Sequence, residues 1–331
     1  MDIAAKVFGP ARNRLGKKAA ALVRVPPTPQ DWEHARPLLR PVLRPPVHNP
    51  EYGVVSRPVL SYLAEMLVVE GAVEGAGEGS SVLKYVGRED LAAWNVTAEE
   101  AFAAAHHNLA RPTRLDGSTD RYVTSLPLLD GWLAALHRSA GARPLAFPAG
   151  TGVLLLAYET ADPDEIRTRI HDAEREWTES ARPICPAPIT VDDQGSLVLY
   201  EVPADHPAYA AVKHASILLA MSAYGPQTEY LRDVAGTGDP RPASLKGFRS
   251  PSGEEFTATT WTDGLDSLLP QADLVFFPQD GAPALRIPWD VVAEEVSLLP
   301  EEGFHPARYR VSAWPAPEVM ERMKARATVA A

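Results

Sequence analysis

Apolar residues recur at helical spacing in several stretches of this chain and form short unbroken runs in others. Behind Thr97 and Glu100, which make a capping box, Phe102, Ala105 and Leu109 fall three and four residues apart, and Pro112 stops the run. This predicts an amphipathic helix ending near Leu109, with Trp94 and Val96 packed under its start. Asp162–Glu179 is charged on one side and carries Ile166, Ile170, Ala173 and Trp177 on the other, a second helix. Leu126–His137 reads as a third, with Trp132 and Leu133 turned inward, and Pro207–Leu231 as a long apolar helix interrupted near Gly225-Pro226. Ser81–Val86 and Arg143–Pro148 read as strands, and Val153–Tyr158 as the best buried strand of the chain. Ile189–Val191 and Leu197–Val202 flank Asp192-Asp193-Gln194-Gly195, which predicts a hairpin. Pro58–Glu70 is apolar throughout, helical in its first half and strand-like at Met66–Val69. Strands are expected near Phe256–Trp261, Leu274–Phe277, Leu285–Ile287 and Tyr309–Ala313, with helices near Trp289–Val296 and from Pro317.

Helices and strands therefore mix without strict alternation, which is an α+β pattern. With 331 residues, more than one domain is expected. Residues 25–58 are dense in proline, including Pro26-Pro27 and Pro45-Pro46, and read as an extended strap with a short helix around Trp32–Leu39. Residues 235–253, rich in Gly, Pro and Ser, read as a linker. The expected division is a basic helix and proline-rich strap over 1–57, an α+β core over 58–204, and a long helix, linker and small α+β unit over 205–331.

The formal net charge is −11, which disfavours nucleic acid and anionic membrane as general partners. One segment runs against the acidity. Residues 2–24 read as helix, and Lys6, Arg12, Arg14, Lys17, Lys18 and Arg24 face a single acid, Asp2. Peripheral membrane association through this helix is one reading, although its apolar face is mostly alanine and would anchor poorly. The apolar run Ala19–Val23 is too short for a signal peptide, which points to a cytoplasmic protein. The single cysteine, Cys185, cannot form an internal disulfide and reads as a buried or loop thiol.

Candidate chemistry is sparse. Gly75, Gly77 and Gly79 suggest a phosphate loop, but a strand follows instead of a helix, and Glu74 and Glu78 would repel phosphate. The run is expected to be a hairpin loop. GPARNRLGKK also fails as a phosphate loop, because Lys18 sits where Ser or Thr is needed. His106 and His107 are adjacent on a helix, point about 100° apart and cannot share a metal unaided. His171 and Glu174, at i and i+3, could hold a general base but fit a charged stripe on an exposed helix better. His106, His107, His171 and Asp192 are the residues to test if the chain is an enzyme. Trp261 with Asp263 and Trp289 with Asp290 are aromatic–acid pairs that could line a binding groove, or else be core tryptophans beside a turn and a helix cap. No metal site and no cofactor is expected.

VGREDLAAWNVTAEEAFAAAHHNL, LLDGWLAAL and ARPLAFPAGTGVLLLAYE, followed by the charged helix and the DDQG hairpin, resemble the YtpQ-like family of uncharacterised bacterial proteins. The nearest motif is Trp94, Glu100, Phe102, Ala105, Asn108 and Leu109 in family-like spacing. The resemblance covers about residues 58–203 and implies an α+β core there. Where family members usually carry an Arg-Asp pair, this chain has Pro148-Ala149-Gly150-Thr151. The family supplies no activity, so the function expected from the residues is non-catalytic binding of another protein. The alternatives are a hydrolase-type enzyme with its site between the core and the C-terminal unit, and the membrane association above.

Overall fold

A computed structural model describes residues 28–72, 81–110, 122–159 and 162–329. The helix expected over residues 2–24, the loop expected around Gly75, Gly77 and Gly79, and Pro112 lie outside them. The fold is α+β, as expected. Two compact units divide between Ala215 and Ser216, and neither expected boundary, 57/58 or 204/205, coincides with that division.

The first unit opens with helix α1 (Trp32–Ala35), capped by Asp31, and a 3-10 turn over Arg36–Leu38. The proline-dense stretch then enters a sheet, correcting its reading as a strap. β1 (Leu39–Arg44) and β2 (Ser56–Leu60) flank β3 (Leu63–Ala72), and β4 (Ser81–Tyr85) also pairs with β3, all antiparallel. Pro41 is tolerated because β1 is an edge strand. Pro58–Glu70 is therefore the end of one strand, a tight turn at Ser61-Tyr62 and a second strand, with no helical half. The two-residue strand period sorts β3 onto two cores. Leu67 and Val69 pack with Leu39, Val86, Trp94, Phe102 and Ala105, while Ala64, Met66 and Val68 pack with Val42, Leu109 and Tyr122.

Helix α2 (Arg88–Trp94) ends at Asn95 in the left-handed conformation, and α3 (Ala98–Leu109) follows. Thr97 Oγ1 accepts from the Glu100 amide at 3.2 Å, and Glu100 Oε2 accepts from the Thr97 amide at 2.8 Å, the capping box read from the sequence. Asn108 donates from Nδ2 to the carbonyls of Arg36 and Leu39, at 2.7 and 3.0 Å, fixing the start of β1 to α3. The helix expected over Leu126–His137 is split. A 3-10 turn covers Val123–Leu128, Gly131 takes φ 74°, and α4 (Trp132–Ala140) begins after it. Leu133 is buried and Trp132 only half-buried.

The second sheet has the order β6 (Val153–Tyr158), β5 (Pro144–Gly150), β7 (Ile189–Val191), β8 (Leu197–Leu199). β5 is buried at every position, whereas β6, expected to be the most buried strand, is an edge strand and half-buried at five of six positions. Helix α5 (Pro163–Glu179), capped by Asp162, packs on β5 and β6 through Ile166, Ile170 and Ala173.

Helix α6 (Tyr209–Val234) runs unbroken for 26 residues through Pro226, correcting the expected interruption. Proline removes one amide donor, but the next turn is held by other bonds: Thr228 Oγ1 donates to the Tyr224 carbonyl at 2.7 Å. The stretch expected as a linker holds β9 (Arg241–Pro242) and β10 (Lys246–Arg249). Gly247 allows a close approach there, since a Cβ would sit 3.0 Å from Met221 Sδ.

The second unit contains two further four-stranded sheets. One has the order β10, β11 (Glu255–Thr260), β13 (Leu274–Gln279), β14 (Ala282–Pro288), with β11 and β13 parallel. The other has the order β15 (Pro300–Glu301), β16 (Arg308–Val311), β12 (Ser267–Pro270), β9. Helices α7 (Trp289–Glu295) and α8 (Pro317–Val329) complete it. Val275, Phe277, Ile287, Val292 and Met323 form the core.

Arg308 is fully buried in this unit. Nε donates to Gln227 Oε1 at 2.7 Å, Nη1 to the carbonyls of Ala243 and Leu268 at 2.7 and 3.1 Å, and Nη2 to Thr228 Oγ1 at 2.6 Å and the Tyr224 carbonyl at 3.5 Å. The guanidinium also lies 5.1 Å from the Tyr224 ring centroid. Among the described residues no carboxylate pairs with it, and burial pushes its pKa down to about 10.

Candidate functional site

The residues singled out from the sequence do not converge. His171 is on the exposed side of α5, with Nδ1 3.7 Å from Glu174 Oε2. Asp192 organises the β7–β8 turn, its Oδ1 accepting from the amides of Gln194 and Ser196 at 2.9 and 2.8 Å. His107 is exposed on α3. Trp261 and Trp289 are core residues, 4% and 8% exposed, which removes both indoles from an open groove. Trp261 Nε1 donates to the Ser312 carbonyl at 3.0 Å, and the Trp289 ring meets Tyr309 edge-on at 4.9 Å. Asp263 Oδ1 accepts from the Trp314 amide at 2.8 Å, and Asp290 is exposed in the first turn of α7. Among the described residues, no group of three His, Cys, Asp or Glu could hold a metal ion.

His106 joins a charged cluster at a buried carboxylate. Its partner is Glu65, a carboxylate on the face of β3 that packs against α3, with a side chain only 2% exposed. His106 Nε2 hydrogen-bonds Glu65 Oε1, and Arg57 Nε donates to Glu65 Oε2 at 2.7 Å. Arg57 stands directly opposite Glu65 in the β2–β3 register and lies 4.2 Å from the Phe102 ring centroid. Sequence reasoning missed Glu65 and Arg57. The signal was a lone acid inside the apolar run LSYLAEMLVV, where a charge needs a partner.

Cys185 is buried, its Sγ donating to the Ala187 carbonyl at 3.2 Å, and burial pushes its pKa up to about 12. A thiol held protonated in the fold contributes stability below its ordinary pKa of 9.0, and that stability is lost as pH rises toward 12. Between pH 8 and 10 the wild-type chain is therefore expected to lose on the order of 1 kcal/mol more unfolding free energy than Cys185→Ala, as read from urea denaturation at the two pH values. Equal losses would show that the thiol ionises alike in both states.

The second feature is the outer edge of β6. In an antiparallel pair, successive residues alternate between bonding the neighbouring strand and facing away from it. The Glu159 amide donates to the Arg143 carbonyl at 2.8 Å, which sets that alternation for β5 and β6. The Pro148 carbonyl accepts from the Cys185 amide at 3.0 Å and the Pro144 carbonyl from Thr190 Oγ1 at 2.8 Å, both on the side of β5 away from β6. Pro144, Ala146 and Pro148 stand opposite Tyr158, Leu156 and Leu154. Those three β6 residues thus aim their N–H and C=O groups outward. No strand pairs with this edge among the described residues. The strand VLLLAY carries no charge, no proline and no bulge of its own, the usual devices that keep an edge from pairing. The chain matches no protein-family model, no curated protein and no solved structure.

Proposed function

We propose that this chain is a non-catalytic protein-binding protein that engages its partner by strand addition at β6. The observation that carries the reading is the row of outward backbone groups at Leu154, Leu156 and Tyr158 on an uncharged apolar strand. Main-chain bonds would supply affinity there and the alternating side chains selectivity. A size-exclusion and pull-down survey is expected to find a protein partner, itself or another chain, that Leu156→Pro no longer holds. A survey that finds none, together with turnover of some substrate, overturns the reading. The YtpQ-like resemblance of residues 58–203 bears on the fold and adds nothing to the activity.

A second reading, a hydrolase, draws on the Glu65–His106 bond. A buried carboxylate that orients a half-exposed histidine is the arrangement of an activated general base. On this reading a panel of ester and amide substrates yields turnover that His106→Gln abolishes. Turnover unchanged by that substitution excludes His106 as the base.

A further inference from the structure

We infer that the strand added at β6 is β6 of a second copy of this chain, paired antiparallel about a two-fold axis at Leu156. This rests on the strand-addition reading and names its partner. Three features of the edge favour a second copy.

The first is the hydrogen-bond register. With Leu156 opposite its own counterpart, Leu154 falls opposite Tyr158, so all three outward-facing residues meet outward-facing residues. Two copies of Leu156 exchange two N–H···O=C bonds, and each Leu154–Tyr158 pair exchanges two more. The second is polarity. Val153, Leu155 and Ala157 point to one side of the sheet, and Leu154, Leu156 and Tyr158 to the other, so a strand laid alongside must be apolar on both faces. β6 itself meets that requirement, and five of its six positions are only half-buried in the single chain. The third is charge. The chain carries −11 overall, which opposes self-association, yet along the paired strands the register sets no like charges opposite each other. Glu159, the acid next to the strand, falls opposite Val153 of the second copy. The product is a continuous eight-stranded sheet made from two copies of the β6-β5-β7-β8 sheet.

Leu156→Pro tests this directly. The Leu156 amide points away from β5, so proline leaves the β5–β6 bonds in place and removes both central bonds of the pair. Leu154→Lys is a second variant that adds a charge to the edge without changing the backbone. Light scattering on the full-length chain from 1 to 100 µM (a working range of roughly this order suits micromolar self-association) is expected to show a monomer–dimer equilibrium. Leu156→Pro is expected to raise the dissociation constant by about 100-fold or more, and Leu154→Lys to raise it as well, both with unchanged circular dichroism. Amide exchange at Leu154, Leu156 and Tyr158 is expected to slow with chain concentration in the wild type only. A wild-type chain that stays monomeric, or a dimer indifferent to both substitutions, overturns the inference. A monomer whose edge amides are protected by a different protein overturns self-pairing and leaves strand addition standing.

Discussion

Replacing Arg308 with alanine is expected to destabilise the chain by about 3–5 kcal/mol, the largest single-residue effect outside the apolar core. The reason is the set of acceptors it would abandon. Gln227 Oε1, Thr228 Oγ1 and the carbonyls of Ala243, Leu268 and Tyr224 all receive a guanidinium donor in a site closed to water. The Leu268 carbonyl also accepts from the Ala243 amide and the Tyr224 carbonyl from Thr228 Oγ1, so the full loss falls on the other acceptors. Gln227 is itself committed, donating from Nε2 to the Pro306 carbonyl at 2.8 Å, and cannot swing away freely. Arg308→Lys is expected to recover little, because an ammonium is a point charge and cannot span a fork of acceptors on α6, β12 and the segment after β9. Urea unfolding followed by tryptophan fluorescence checks this, since Trp261, Trp289 and Trp314 all lie in the second unit. A midpoint within about 0.5 kcal/mol of the wild type would mean that water replaces the guanidinium, against its burial.

The Glu65 cluster is expected to respond asymmetrically. Removing both of its partners, with Arg57→Ala and His106→Ala together, strands a buried carboxylate and is expected to cost about 3–5 kcal/mol. Glu65→Leu is expected to cost only about 1 kcal/mol, because the groups left behind reach solvent: the Arg57 side chain is 46% exposed and that of His106 23%. Chemical denaturation of the double variant, of Glu65→Leu and of the triple variant decides the matter. The triple variant should lie well above the double one in stability, since the charge that needed partners is gone. Equal cost for the double variant and Glu65→Leu would mean that the stranded carboxylate carries no penalty of its own.

Local rules carried well where the chain declares its own ends. The capping box at Thr97 and Glu100, the Asp192 turn and the helix read from Asp162, where Asp162 is the N-cap, are each specified within a few residues, and each lies where its pattern places it. Depth and pairing were less legible. VLLLAY and PLAFPAG are both apolar runs, and only the strand order makes one an edge and the other a buried centre. Proline misled in both directions. Pro41 read as strap because an edge strand is a tertiary fact, and Pro226 read as a break because the bonds that hold the following turn come from Thr228 and Arg308. The charged cluster was half visible. His106 stood out by type, but Glu65 and Arg57 become its neighbours only when the β2–β3 register brings them together.

β5 makes its pairing with β7 unlike its pairing with β6. Pro144 and Pro148 have no amide hydrogen to offer on that side, and the ladder to β7 is the single register pair of Ala146 with Ile189. Bonds such as those from Thr190 Oγ1 to the Pro144 carbonyl and from Arg143 Nη2 to the Val191 carbonyl, at 2.8 and 2.9 Å, take the place of the missing rungs. The sheet is therefore two hairpins joined by one register pair, the Ile184 and Cys185 amides on the Ala149 and Pro148 carbonyls, and side chains. Each hairpin closes over a short loop and can form within about microseconds, whereas the join must wait for distant segments to meet. Docking of one preformed hairpin on the other becomes the late step in building this sheet, and the residues at the join govern how fast it comes apart more than how fast it assembles.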